Sequence, residues 1–311
     1  MASTPGRLIS LASMVMTVPL KVPVFPERGS AVKAQVAATG VGGALDVMLP
    51  AHLQGIPVVN LCPLGTGPNS MLVRQALRRS GIASEAVEMV GDTGMALILI
   101  EEGGYYTSVI TSGIEAELEI GALTRYDVHP GDYIYLSAGD LVNPAYRRAV
   151  LAWLAMVGDT ARIVLAASEL AGQLRAEWLS AVLPFVHVFT ANASQADQVA
   201  EVLGCDIGSQ TFMNTLGEDA LAVVRTGADG AMLYRVGQDD IMVQSMPTTV
   251  VDTLGVGATH TGVLIAGLMS GLDPVQAVQR ANAAGAIAVS HAGASVDVTP
   301  DKIDELIDHT R

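Results

Sequence analysis

Between Val250 and Gly262 the chain runs Val-Val-Asp-Thr-Leu-Gly-Val-Gly-Ala-Thr-His-Thr-Gly. Asp252 and Thr253 suit the end of a strand and the start of a turn. Gly255 and Gly257 then open a nest of backbone N–H groups at the start of a helix beginning near Ala258. Such a nest stabilises the negative charge of a phosphoryl group. Upstream, Val223-Val224-Arg225-Thr226-Gly227-Ala228-Asp229-Gly230-Ala231 forms a strand-turn-strand pattern. There the Thr226 hydroxyl and the amides of Gly227 and Gly230 can donate to an anion without bulk, although T-G-x-x-G alone also makes an ordinary turn. A third run, Gly40-Val41-Gly42-Gly43-Ala44-Leu45-Asp46-Val47, offers main chain that a polyol can approach where no Cβ intervenes. Asp46 can accept two hydroxyl hydrogen bonds. Taken alone, this run equally suits a strand-to-helix turn with positive φ. His260 lies two positions past Ala258, about 200° around a helix from it, and is expected to pack in the interior.

The elements that must position these groups alternate. Arg7 to Val18 reads as one buried strand, Gly42 to Gln54 as a helix, Pro57 to Cys62 as a strand, and Asn69 to Ser80 as an amphipathic helix with Leu72, Ala76 and Leu77 on one face. Further strands are expected at Tyr133–Leu136, Ile163–Ala166, Val186–Thr190, Ala222–Arg225 and Ala231–Arg235, with helices at Asn143–Met156 and Ala193–Val202. Repeated β-α-β order implies a parallel sheet covered on both faces, with ligands at the carboxyl ends of its strands. Two segments depart from this order. Met95–Glu101 and Tyr105–Ser112 suit a hairpin around Glu102-Gly103-Gly104, and Thr17–Val24 and Ser30–Ala38 suit a second strand pair. An ordinary edge hairpin is the simpler account of the former.

Composition narrows the partners. The chain has 311 residues, half of them hydrophobic and only 4% aromatic, with 32 glycines, as expected of aliphatic strands under Ala-rich helices. Its formal charge of −14 repels nucleic acid and anionic membrane surfaces. A nucleotide phosphate can still bind to backbone N–H groups at a helix start. Leu8 to Val24 is apolar but interrupted by Pro19, Lys21 and Pro23, so no membrane span is expected and cytoplasmic placement is the default. Cys62 and Cys205 suit two reduced core thiols, and the histidines show no metal-ligand spacing.

Together these motifs resemble the ribokinase-like (PfkB) carbohydrate and nucleoside kinases, whose C-terminal signature is D-T-x-G-A-G-D followed by a helix. The resemblance spans the chain from its first strand to Thr299-Pro300. It implies a single domain over residues 1–311, an α/β three-layer sandwich with a central mostly parallel sheet, and a small β-sheet lid from about 17–38 and 95–112. The activity it implies is ATP-dependent phosphorylation of a sugar or nucleoside hydroxyl with magnesium. In such kinases a monovalent cation such as potassium often sits beside the residue matching Asp252 and the stretch matching Ala292-Gly293-Ala294, and lid edges commonly pair into homodimers. Carried over by motif, Asn192, Thr226, Gly227, Gly230 and Asn282 face the nucleotide, while Thr17, Gly42, Gly43, Asp46 and Asp252 serve the substrate. Gly255 and Gly257 hold the phosphoryl group.

The chain departs from the pattern at its acids. Ala258 stands where the family carries the catalytic Asp, Thr17 where the first strand brings an Asp to the substrate, Gln195 where N-x-x-E places the Glu that organises magnesium, and Ala166 where many members have an Asp. Gly65-Thr66-Gly67-Pro68 lacks the Asp of G-x-D-x-x-G and is expected to be scaffold. Two functions follow from the resemblance. One is a kinase with an altered or absent base; the other is a catalytically degenerate relative, a pseudokinase, that binds a nucleotide, a sugar-like ligand or a protein partner.

Overall fold

Short aliphatic runs broken by glycine and proline set the order of elements in the computed structural model, which describes residues 6–36, 38–101, 106–293 and 297–310. In chain order, β1 (Leu8–Ser10), β2 (Met14–Lys21), β3 (Gln35–Val36) and β4 (Gly40–Gly43) precede α1 (Leu45–Leu53). Next come β5 (Val58–Asn60), α2 (Pro68–Arg79), β6 (Ala83–Ser84), β7 (Met95–Ile100), β8 (Tyr106–Thr111) and α3 (Ile120–Leu123). The middle of the chain forms β9 (Tyr133–Ser137), α4 (Pro144–Val157), β10 (Arg162–Ala166), α5 (Ala176–Val182), β11 (Val186–Asn192), α6 (Ala193–Leu203) and α7 (Gln210–Met213). The last part holds β12 (Leu221–Arg225), β13 (Gly230–Arg235), β14 (Ile241–Gln244), α8 (Val256–Met269), α9 (Pro274–Val289) and α10 (Pro300–Thr310).

Nine strands make the larger sheet in the order β14-β13-β12-β11-β10-β9-β1-β5-β6, parallel from β12 to β6 and antiparallel where β13 and β14 complete the edge. Alternation along each strand splits the core in two. Leu221 and Val223 of β12 join the layer under α1, α8 and α9, whereas Ala222 and Val224 join the layer with α4, α5 and α6. The result is an α/β architecture with one mostly parallel sheet and helices on both of its faces.

A smaller sheet stands apart from it. β2 pairs parallel with β7, β7 pairs antiparallel with β8, and β3 and β4 both pair antiparallel with β2. The hairpin expected at residues 95–112 is present, and its turn at Glu102-Gly103-Gly104 lies outside the described residues.

Three expectations change. Arg7 to Val18 is not one strand: β1 ends at Ser10, and after Leu11–Ser13 the chain re-forms as β2 in the other sheet. The crossing is held by Leu11 N–H donating to the Tyr135 carbonyl at 3.1 Å and Ser13 N–H donating to Asp140 Oδ2 at 2.9 Å. In α2 the inward positions are Ser70, Val73 and Leu77, while Leu72 is exposed. Ser70 can face inward because its hydroxyl donates to Asp92 Oδ1 at 2.9 Å. The helix expected from Gly42 starts at Leu45: Gly40–Gly43 is the strand β4, and the left-handed turn is confined to Gly43 at φ +78°. A Cβ at Gly43 would come within 2.5 Å of the Ser13 carbonyl oxygen, so glycine is required there.

Candidate active site

Side chains alternate along the strands, so Tyr135 of β9, Ala166 of β10, Thr190 of β11 and Arg225 of β12 all point to the face covered by α8, near the strands' carboxyl ends. Above them α8 starts at Gly255, whose φ of +78° turns the chain in the left-handed region. Asp252 holds the loop before it. Its Oδ1 accepts from Leu254 N–H and its Oδ2 from Gly293 N–H, each at 2.9 Å, which ties the loop to the turn after α9. The first N–H groups of α8 have no side-chain cap.

Arg225 fills the space beneath this helix start. Its Nη1 donates to Thr190 Oγ1 at 2.8 Å and to Thr261 Oγ1 at 3.4 Å, and Thr261 donates in turn to the Gly257 carbonyl. A Cβ on Gly257 would lie 3.2 Å from Arg225 Nη2, so the guanidinium rests against the helix where a side chain is missing. Among the described residues no carboxylate forms an ion pair with Arg225. Burial pushes its pKa down to about 10, which leaves it charged at neutral pH. Its neighbour His260 is driven the other way from charge. Burial and the Arg225 cation push the imidazole down to about 3, and its Nε2 pairs with Asn282 Oδ1 at 3.1 Å. His260 is a neutral interior group, as its helical phase indicates, and not a substitute base.

β2 and the turn into α1 bring Thr17, Gly42 and Asp46 together. Thr17 Oγ1 lies 2.5 Å and Asp46 Oδ2 3.2 Å from the point where Gly42 would carry a Cβ, and the Thr17 hydroxyl is buried without a hydrogen-bond partner. Burial raises the Asp46 carboxyl to about 7, opposed by a hydrogen bond from the Gly43 backbone. Asp140, in the short helical turn after β9, is raised by burial to about 6 although Ser13 N–H donates to it. Tyr135 lies within the fields of Asp46, Asp140, Glu169 and Arg225. From the smaller sheet, the Tyr106 phenol faces the Glu169 carboxylate, and burial and that charge both raise its pKa. Arg225 lies inside the Val223–Ala231 run, where the sequence gives it no role of its own, and Asp140, Tyr135 and Glu169 fall in no motif. Only the registers of neighbouring strands and the loop contacts bring them together.

A family model described as pfkB family carbohydrate kinase matches residues 7–302. The chain belongs to the pfkB family. It is 27% identical over 310 residues to the uncharacterized sugar kinase YegV of Escherichia coli (strain K12), covering 99% of this chain and 95% of that protein. It is 24% identical over 308 residues to the ATP-dependent ribose-1-phosphate kinase of Halopiger xanaduensis, covering 96% of each. Its fold is similar to that of Burkholderia thailandensis nucleoside kinase in complex with inosine, with a TM-score of 0.82, 14% identity and 98% coverage of each chain. The ribokinase of Cryptococcus neoformans var. grubii serotype A in complex with ADP is also similar, with a TM-score of 0.80, 18% identity and coverage of 99% of this chain and 100% of that one. The family match places the chain among the pfkB carbohydrate kinases.

Within the pfkB frame, several motif residues have structural work to do. Asn192 caps α6: its Oδ1 accepts from Gln195 N–H at 2.8 Å, and Gln195 Oε1 accepts from Asn192 N–H at 3.0 Å. Gln195 therefore turns back on the helix start instead of reaching towards a metal position. Among the described residues no group of three or more His, Cys, Asp or Glu side chains is placed to hold a metal ion. With Arg225 beneath α8 and neutral side chains at Ala166, Gln195 and Ala258, these positions supply no carboxylate to hold magnesium. Asn282 is buried, donating to the Val243 carbonyl at 2.8 Å and the Gln244 carbonyl at 3.2 Å, so it fixes the backbone of β14. Gly230 has φ +116°, and a Cβ there would strike the backbone of Val243 to Ser245, whereas Gly227 faces open space. Thr226 Oγ1 donates to the Gly230 carbonyl at 3.1 Å and closes the turn. The Asp252 carboxylate clamps two loops, and of the stretch Ala292-Gly293-Ala294 expected beside it, Ala294 lies outside the described residues. No helix among the described residues is long and apolar enough to cross a membrane.

A cavity of about 380 Å³ lined by Val243, Met246, Val275, Gln279 and Ile307 shares no residue with the Gly255–Gly257 turn.

Proposed function

We propose that this chain transfers the terminal phosphoryl group of ATP to a hydroxyl of a sugar or nucleoside. The observation that carries the reading is the placement of Arg225, free of any acidic partner among the described residues, against the open N-terminus of α8. In this reading Gly255 and Gly257 hold the transferred group with their N–H groups, and Thr226, Gly227 and Gly230 shape the turn that receives the remaining nucleotide phosphates. Asn192 and Asn282 act one layer out, through the helix cap and the β14 backbone that they fix. The polyol occupies the Thr17–Gly42–Asp46 side, where Thr17 supplies an unpaired hydroxyl and Asp46 a carboxylate that ionises near neutrality. The smaller sheet closes over it as a lid. Ala258 brings no base, so proton removal from the hydroxyl is the weak step, and general-base catalysis is ordinarily worth about 10²–10⁴ in rate. Relatives named as an ATP-dependent ribose-1-phosphate kinase and a nucleoside kinase support the substrate class.

The test is ADP release and product mass with ATP against a panel of sugars and nucleosides. At least one acceptor is expected to stimulate ADP release and gain one phosphoryl group. Equal ADP release with and without every acceptor, and no phosphorylated product, would contradict the reading.

A further inference from the structure

Where family members carry acids, this pocket has Ala166, Gln195 and Ala258, and it also contains a guanidinium. The four strands that deliver residues to this face leave Ala166 small and bring Arg225 across Thr190. Nη1 is engaged by the Thr190 and Thr261 hydroxyls, which fixes the plane of the group. Nη2 is turned to the Cα of Gly257, at the end of α8 where the peptide dipoles favour an anion. Tyr135 and Glu169 contribute field at this cation, but neither forms an ion pair or a hydrogen bond with it among the described residues. A half-buried guanidinium held by neutral hydroxyls and with no ion-pair partner among the described residues carries a charge for which an anion is the complementary ligand.

We propose that Arg225 binds the nucleotide's terminal phosphates directly, together with the N–H groups at Gly255–Gly257, so that ATP is held here without a protein-bound magnesium ion. The proposal rests on the phosphoryl-transfer reading above and deepens it. Its chemistry is that of a fork-shaped donor meeting phosphate oxygens at the mouth of a helix. It also accounts for the emptied acidic positions. A carboxylate at 166 or 258 would compete with phosphate for Arg225, and a Glu at 195 would add a charge that no nearby metal ion offsets.

Calorimetric titration of the intact chain tests it, with adenosine, ADP, ATP and tripolyphosphate, in EDTA and in magnesium. In EDTA, ATP is expected to bind at least about tenfold more tightly than adenosine, since charge-assisted hydrogen bonds give increments of this size. Arg225→Gln should abolish that increment and leave adenosine affinity within about twofold. Arg225→Lys should keep part of it, because the charge remains while the fork is lost. Thermal denaturation checks that the variants fold. If Arg225→Gln does not fold, the wild-type comparison in EDTA and the Lys variant decide. ATP binding no tighter than adenosine without magnesium would overturn the proposal, as would an undiminished increment in a folded Gln variant. In that second case nucleotide binding persists and the proposed reaction stands without Arg225. Tripolyphosphate binding that depends on Arg225, with no binding of adenosine or ADP, would support the anion site and remove ATP as the donor. Absence of binding by all four ligands would overturn both.

Discussion

The guanidinium of Arg225 rests against the bare Cα of Gly257, with Nη2 only 3.2 Å from where a Cβ would begin. Gly257 lies in the first turn of α8 and has no left-handed φ, so helix geometry alone does not require glycine. Gly257→Ala is expected to leave the melting temperature within a few degrees, since helix propensity favours Ala by up to about 1 kcal/mol while the new methyl crowds the cation. The displaced guanidinium should then lower ATP affinity by about threefold to tenfold. Calorimetry beside a melting curve separates the two effects.

Asp46 makes stability depend on pH in an unusual direction. Its carboxyl is raised from 3.8 to about 7, so between those values the folded chain keeps a proton that the unfolded chain has released. Stability from this group is therefore full below about pH 3.8, falls as pH rises to about 7, and stays level above. Asp46→Asn removes the titration and keeps an acceptor for the Gly43 N–H. The variant should match wild type near pH 4 and exceed it by on the order of 2 kcal/mol at pH 8, after allowance for partial exposure. Asp140 titrates in the same window but cancels in the difference. Denaturant unfolding at both pH values reads it. The same substitution should weaken polyol binding at pH 8, where the carboxylate accepts hydroxyl hydrogen bonds.

Asp252 is expected to matter for the fold first and for the reaction through it. Asp252→Ala removes the acceptors for Leu254 N–H and Gly293 N–H and should destabilise by about 1–3 kcal/mol. Denaturant unfolding should show this loss, and ATP affinity should fall with it as the start of α8 loosens.

Gln195→Glu restores the residue type of the family motif. Glutamate serves the capping box as well as glutamine and favours a helix start, so stability should hold or rise by about 0.5 kcal/mol. The side chain stays turned to Asn192 N–H. Magnesium titration of ATP affinity is therefore expected to give the same curve for the variant as for wild type.

Much of this was legible in the sequence where a pattern repeats. Strand and helix runs from Tyr133 to Arg235 fall within a few residues of β9 to β13, because buried parallel strands read as short aliphatic runs between turn residues. The start of α8 was marked by Gly255 and Gly257. An unbroken apolar run, by contrast, carries no sign of where the chain leaves one sheet for another, so β1 and β2 read as one strand. Ile241–Gln244 went unrecognised as a strand, being too short for its periodicity to show. Arg225 was hidden differently. As the last residue of a strand it looks like a polar end cap, and its meaning depends on Thr190 one strand away and Gly257 on a distant helix. The acidic positions could be seen to be missing, but not the cation beside them.

On the proposed function, the phosphoryl-binding centre acts as a unit and cannot be repaired at the base position alone. The most direct test is the turnover of Ala258→Asp against wild type in the ADP-release assay with the best acceptor. An aspartate at 258 enters the first turn of α8 near the Arg225 cation, and both features hold it ionised and weaken it as a base. The predicted gain is less than about tenfold, because groups acting together are not additive. A single-site gain of about 10²–10⁴, the full worth of a general base, would contradict the account.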